Sequence, residues 1–170
     1  AVDDGQLDTA RGARGWARLR CVDVASLDDV RTLIPLDNGL ASLAIPRKDG
    51  APQATVVNAG VVPHPVGGRP VAAFVARRST RKLDLLRADP RATLTWRAAW
   101  AWVTVEGSIE LCGPDDPLPG VDDEGLRLLL REIYAAAGGA HEDLAEYDRV
   151  MVAEGRTAVL VTPVRVYQNP

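Results

Sequence analysis

The chain has 170 residues, 46% of them hydrophobic and 25% charged, with a formal net charge of −3. At that length a single domain buries about 70% of the surface its unfolded chain exposes, so a core forms without metal or disulfide staples. No apolar run approaches the roughly 18 residues of a membrane-crossing helix, and the N-terminus is acidic, so neither membrane insertion nor export is expected and a cytoplasmic location is.

In chain order, residues 1–20 carry no sustained hydrophobic period and read as an accessory segment without an assigned role. Ser26 followed by Asp29 has the spacing of a capping box ahead of Val30, Leu33 and Ile34, a short helix that Pro35 stops. Residues 1–38 thus precede the main part of a single domain, 39–170. Residues 39–45 and 53–62 alternate as strands around Lys48-Asp49-Gly50, a hairpin turn in which Asp-Gly supplies positive φ. The run His64-Pro65-Val66-Gly67-Gly68 breaks the chain before a strand at 71–76 and a cationic helix at about 79–87. Two long half-buried strands follow, one carrying Ala92, Leu94 and Trp96, the other Trp100, Trp102 and Thr104 on alternate positions.

A Pro- and Asp-rich loop at 112–120 leads to Leu126, Leu129, Leu130, Ile133 and Tyr134, the stripe of an amphipathic helix that Gly138-Gly139 ends. A last helix with Leu144, Tyr147 and Met151 on one side closes at Gly155, and 156–167 returns as a β-branched strand bent or edged by Pro163. Strands joined by short turns, with helices at the periphery, predict a mainly β fold, a six-stranded antiparallel barrel rather than a doubly wound parallel sheet.

Charge is the least ordinary feature. From Arg69 to Arg91 there are seven basic side chains against Asp84 and Asp89, in a chain that is acidic overall. Arg77, Arg78, Ser79, Thr80, Arg81 and Lys82 form a strand-to-helix turn in which Ser79 or Thr80 caps the helix and the first N–H groups point at an anion, so this turn is the candidate phosphate site. Lys82 is one of only two lysines in the chain and follows the candidate cap closely. A solvated basic face is the alternative for Arg87 and Arg91. A nucleic-acid partner is not expected, because 112–154 is strongly negative and no nucleic-acid fold signature appears.

Hydrolase chemistry is absent: His64 and His141 are the only histidines, and neither GxSxG nor HExxH occurs, so no catalytic residue is assigned. Cys21 and Cys112 lie in no CxxC pair, and the acidic loop lacks the spacing of a calcium site, so two reduced thiols, a solvated acidic loop and no metal are expected. Trp96, Trp100 and Trp102 sit on strands near the turn, either as core and dimer-interface residues or as flat surfaces for a planar ligand.

The succession LAIPRKDGAPQATVVN, a strand into RRSTRKLDLLRADPRATLTW, then AWVTVEGSIEL, two helices and TAVLVTPVRVYQNP resembles the pyridoxamine 5′-phosphate oxidase-like FMN-binding split β-barrels. More narrowly it resembles the actinobacterial flavin/deazaflavin oxidoreductases of subgroup B. The resemblance implies a homodimer with cofactor grooves at the subunit interface and coenzyme F420 as cofactor, with FMN as the alternative. It implies that Lys82 binds phosphate, that Arg77, Arg78, Ser79, Thr80 and Arg81 surround the phosphate and acidic tail, and that Thr55, Val57 and Asn58 lie along the ring system. It places Trp100 as a pocket wall contributed by the opposite subunit. Leu85 stands where relatives often carry asparagine, and Thr80 where some carry a second basic residue. The function implied is hydride transfer to an electrophilic small molecule such as an enone, quinone or tetrapyrrole. A non-catalytic carrier of coenzyme F420, a fatty acid or haem is the alternative outside catalysis.

Overall fold

The computed structural model describes residues 25–169. The accessory segment 1–20 and Cys21 lie outside the described residues. In order, the elements are α1 (Leu27–Leu33), β1 (Leu40–Pro46), β2 (Pro52–Pro63), β3 (Pro70–Ala76), α2 (Arg81–Ala88), β4 (Arg91–Ala98), β5 (Ala101–Cys112), α3 (Asp123–Ala136), α4 (Leu144–Ala153) and β6 (Thr157–Gln168). The six strands close into one antiparallel barrel in the order β1-β2-β3-β6-β5-β4, with β1 pairing to β4 to seal it. The expected barrel is therefore present. No helix among the described residues is long and apolar enough to cross a membrane.

Alternation builds the interior. Leu43 and Ile45 of β1, Leu94 and Trp96 of β4, Val103 and Val105 of β5 and Phe74 of β3 point inward and are buried together. The capping box forms as predicted, with the Asp29 carboxylate accepting from the Ser26 N–H at 2.7 Å, and it holds α1 so that Leu27, Val30 and Leu33 join this barrel core. Pro35 stands in the 3-10 turn that ends the helix.

The apolar runs in β3 and at the start of β6 are nearly continuous because both of their faces are covered. Phe74 and Val159 look into the barrel, while Ala73 and Leu160 pack outward beneath Leu129, Leu130 and Ile133 of α3 and Tyr147 of α4. The helix comes close enough that a side chain at Gly60 of β2 would stand 2.6 Å from the Ala136 carbonyl oxygen. Gly39, at φ +65°, faces the backbone of Ala137 in the same way.

Pro163 bends its strand rather than edging the sheet. The β5–β6 register shifts between Glu106 and Gly107, and Gly107 pairs with Pro163, leaving Val164 bulged outward and exposed. In a closed barrel no strand is an edge, so the missing proline N–H is accommodated by a bulge.

Candidate functional site

β2 pairs with β1 up to Asn58 and with β3 from Ala59 onward. Beside this changeover lies a cavity of about 490 Å³, walled by Val56, Val57 and Asn58 of β2, Lys82 of α2, the ends of α3 and α4, and Arg156 at the entry to β6. Its size falls in the usual range for a small-molecule or cofactor pocket. The Asn58 Nδ2 donates to the Asn38 carbonyl at 2.8 Å, which fixes the amide plane and leaves Oδ1 as an acceptor without a partner among the described residues.

Lys82 is the second residue of α2 and half-buried. Burial, with the Arg156 guanidinium as a second cause, pushes its ammonium below the usual lysine range. It has no ion-pair partner among the described residues. A desolvated cation without a counter-charge is stabilised by any anion that enters, and the cavity lining brings this ammonium together with the oriented Asn58 amide. Arg156 supplies a second cation, with its Nε 2.8 Å from Oε2 of Glu154 and its Nη2 2.6 Å from the same oxygen.

The rest of the cationic turn does not converge on this cavity. Arg77, Arg78, Ser79 and Thr80 line a separate hollow of about 500 Å³ against the end of α4. Arg81 faces a third hollow beside the β1–β2 turn. Thr80 occupies the cap position of α2, but its Oγ1 donates to the Arg77 carbonyl at 2.9 Å, and Ser79 adopts φ 61°, so neither hydroxyl caps the helix.

The acidic loop is not merely solvated. Asp115 accepts two hydrogen bonds from Arg78, and Asp116 accepts from Arg87 Nε at 2.9 Å and Nη2 at 2.7 Å. Arg87 is thus engaged, contrary to the solvated-face alternative, while Arg91 pairs locally with Asp89. Formal counting registers the positive surplus but not the carboxylates that tertiary structure brings from residues 115, 116 and 154 to offset it.

Of the residues expected along a ring system, Val57 and Asn58 line the cavity, whereas Thr55 pairs with Leu43 beyond its lining. Trp96 is 1% exposed and donates from Nε1 to the Ala59 carbonyl at 3.0 Å, making it a core residue. Trp102 packs edge-on to Tyr167 with ring centroids 6.0 Å apart. Trp100 lies not on a strand but in the β4–β5 turn beside Ala99, whose φ is 51°, and it is 91% exposed.

Tyr134, Tyr147, Met151 and Arg156 were not anticipated as cavity residues. The helical stripe marked Tyr134, Tyr147 and Met151 as packing positions, and only the return of the α3–α4 corner over β2 turns their edges toward the cavity. Burial pushes the Tyr147 phenol up to about 12, and its hydroxyl donates to the Leu130 carbonyl at 3.1 Å, so its proton is committed to structure. His64 ties its own turn: Nδ1 accepts from the Val66 and Gly67 N–H groups, and Nε2 lies 3.1 Å from Glu110. Cys112 is buried, which pushes its thiol up and makes it a packing residue rather than a nucleophile.

No protein-family model matches the chain, and no curated protein sequence does. Solved structures do. A conserved hypothetical protein of Mycobacterium tuberculosis aligns at TM-score 0.61 and 18% identity over 89% of this chain and 88% of its own. A structure described as an F420 reductase aligns at TM-score 0.52 and 17% identity, over 80% of this chain and 94% of its own. A pyridoxamine 5′-phosphate oxidase-related, FMN-binding protein from Nostoc punctiforme aligns at TM-score 0.52 and 16% identity, over 84% and 79%. At such identities the likeness is one of architecture. The chain has the fold of the pyridoxamine 5′-phosphate oxidase-like split barrels.

Proposed function

We propose that the cavity between β2 and the α3–α4 corner binds a flavin-type cofactor, coenzyme F420 or FMN, and that the chain is an oxidoreductase acting on an electrophilic small molecule such as an enone, quinone or tetrapyrrole. The observation that carries this reading is the meeting of Lys82 and Asn58 in one cavity. The residues fit the group: an unpaired, half-buried ammonium suits its phosphate, and a fixed amide beside apolar Val56 and Val57 suits a planar ring with polar edges. Neighbours described as an F420 reductase and as an FMN-binding protein support it.

When bound, the cofactor supplies the hydride. The chain's own contribution is positional. Lys82 would hold the anionic end, Asn58 would offer its free amide oxygen as an acceptor, and Tyr134, Tyr147 and Met151 would exclude water. Neither tyrosine is assigned a proton transfer, since both hydroxyls donate to backbone carbonyls.

The proposal includes a homodimer in which Trp100 reaches across to wall the partner's groove. Supporting it is the 91% exposure of that indole at a turn tip. A spectral titration with coenzyme F420 and with FMN, followed by mixing the reduced complex with enones, quinones and biliverdin, tests the activity. Light scattering tests the assembly. Binding with no oxidation by any acceptor makes the protein a carrier, and failure of both cofactors to bind removes the reading.

A further inference from the structure

Resting on that reading, we infer that Tyr134 is the side chain on which the cofactor's planar ring packs, and that Gly139 is the positioning residue that fixes the pose of Tyr134. The glycines that close α3 have different tasks. Gly138, at φ +85°, takes the left-handed conformation that ends the helix. Gly139 has no positive φ, so its backbone does not call for glycine. Its N–H donates to the Tyr134 carbonyl at 2.9 Å, the helix-closing bond that sets this position over Tyr134, where an apolar side chain commonly packs. What excludes a side chain here is the tyrosine itself. A Cβ on Gly139 would stand 2.5 Å from both Cε2 and Cζ of Tyr134 and 2.7 Å from Cδ2. Near-equal distances to these ring atoms put Gly139 over the face of the ring, not beside its edge.

The Tyr134 ring is held on its other sides as well. The Tyr147 ring packs against it with centroids 5.0 Å apart and a 38° tilt, and its hydroxyl donates to the Ala140 carbonyl at 3.1 Å. Of these two aromatic side chains in the cavity lining, Tyr147 is buried, whereas Tyr134 is only half-buried and keeps surface to offer. With a face under Gly139 and Tyr147 packed beside it, that surface is an edge. A ring edge is the positive side of the aromatic quadrupole and packs against the π face of a planar molecule in a T-shaped pair. The helix end that carries Tyr134 also stands next to the Asn58 amide. Asn58 donates to the Asn38 carbonyl, and a Cβ on Gly138 would lie 3.8 Å from the Asn38 backbone. Tyr134 meets the face of the bound ring and Asn58 its polar rim. Rotamers locked in this way hold a ligand in one pose without further ordering cost.

Titrations of FMN and of coenzyme F420 into wild type, Tyr134→Leu, Tyr134→Phe and Gly139→Ala test this, reading affinity and the visible absorption band of the bound ring. Tyr134→Leu is expected to weaken binding about two- to tenfold, the contribution of an aromatic pair, and to return the band toward its position in free solution. Tyr134→Phe keeps the ring and is expected to bind as wild type does. Gly139→Ala displaces an intact tyrosine and is expected to reproduce the affinity loss and the band of Tyr134→Leu. Wild-type affinity and band in Tyr134→Leu or in Gly139→Ala, or a Tyr134→Phe protein as impaired as Tyr134→Leu, overturns the inference while leaving the cofactor reading in place. If Tyr134→Leu does not fold, the Phe and Gly139→Ala variants decide. A wild-type protein that binds neither cofactor removes the underlying reading along with this one.

Discussion

Replacing Lys82 with methionine separates binding from folding at one position. The methionine preserves the length of the stem and its packing while deleting the charge. A charge-assisted hydrogen bond to phosphate contributes about 1.5–3 kcal/mol, and every 1.4 kcal/mol is tenfold in affinity, so cofactor binding is expected to weaken by about ten- to a hundredfold. The lower end is favoured because Arg156 remains in the cavity wall. Stability is expected to move the other way. The Lys82 ammonium is held below its ordinary range by burial, so in the folded, ligand-free protein its charged form is penalised. That penalty is fully present below the folded pKa and disappears above the unfolded one, because between them the unfolded chain binds the extra proton. At neutral pH the ligand-free Lys82→Met protein should therefore melt no lower than wild type, while losing much of the thermal shift that added cofactor produces. Calorimetry with and without coenzyme F420 or FMN reads both quantities. Unchanged affinity would remove Lys82 from the site, and a lower melting temperature without ligand would show that the ammonium has a stabilising partner after all.

Gly60→Ala places a methyl group 2.6 Å from the Ala136 carbonyl oxygen and must lift the end of α3 from β2, at a cost of about 1–3 kcal/mol; a denaturant midpoint equal to wild type would contradict the close approach. Trp96→Phe leaves the buried Ala59 carbonyl without its donor and is expected to cost about 1–3 kcal/mol for that loss, before any cavity term, in urea unfolding. Asp148 accepts from Arg127 at 2.9 Å and from Arg131 at 2.7 Å, and these hydrogen bonds hold its carboxyl below the usual range. Its stabilisation is present above the unfolded carboxylate pKa and lost as pH falls through the lower folded one. The gap in stability between wild type and Asp148→Asn should thus narrow from pH 6 to pH 2.5, and a constant gap would show that the pair does not titrate as a unit.

Local elements were legible in the sequence wherever a short-range rule decides them. The capping box at Ser26 and Asp29, the turn at Gly50, the stripe of α3 and its stop at Gly138, and the alternation in β4 each depend on neighbours a few residues away, and each is present. Lys82 was marked by its place in the turn and Asn58 by the resemblance alone; the fold brings both to the lining of one cavity. The arginines were different. Arg77, Arg78 and Arg81 are as close in sequence as Lys82, yet successive helix and turn positions radiate in different directions, so they face other hollows.

Composition, periodicity and turn chemistry by themselves determined a barrel of six antiparallel strands with helices outside it and a cationic corner after β3, because backbone geometry translates those patterns directly. Only the tertiary structure decided which charges survive at that corner. Asp115, Asp116 and Glu154 come from segments 29 to 77 residues away from the arginines they meet and neutralise part of the surplus, and Arg156 arrives from the far side of two helices to stand beside Lys82. Electrostatics acts through space and burial rather than along the chain, so net charge at a site is settled by the fold.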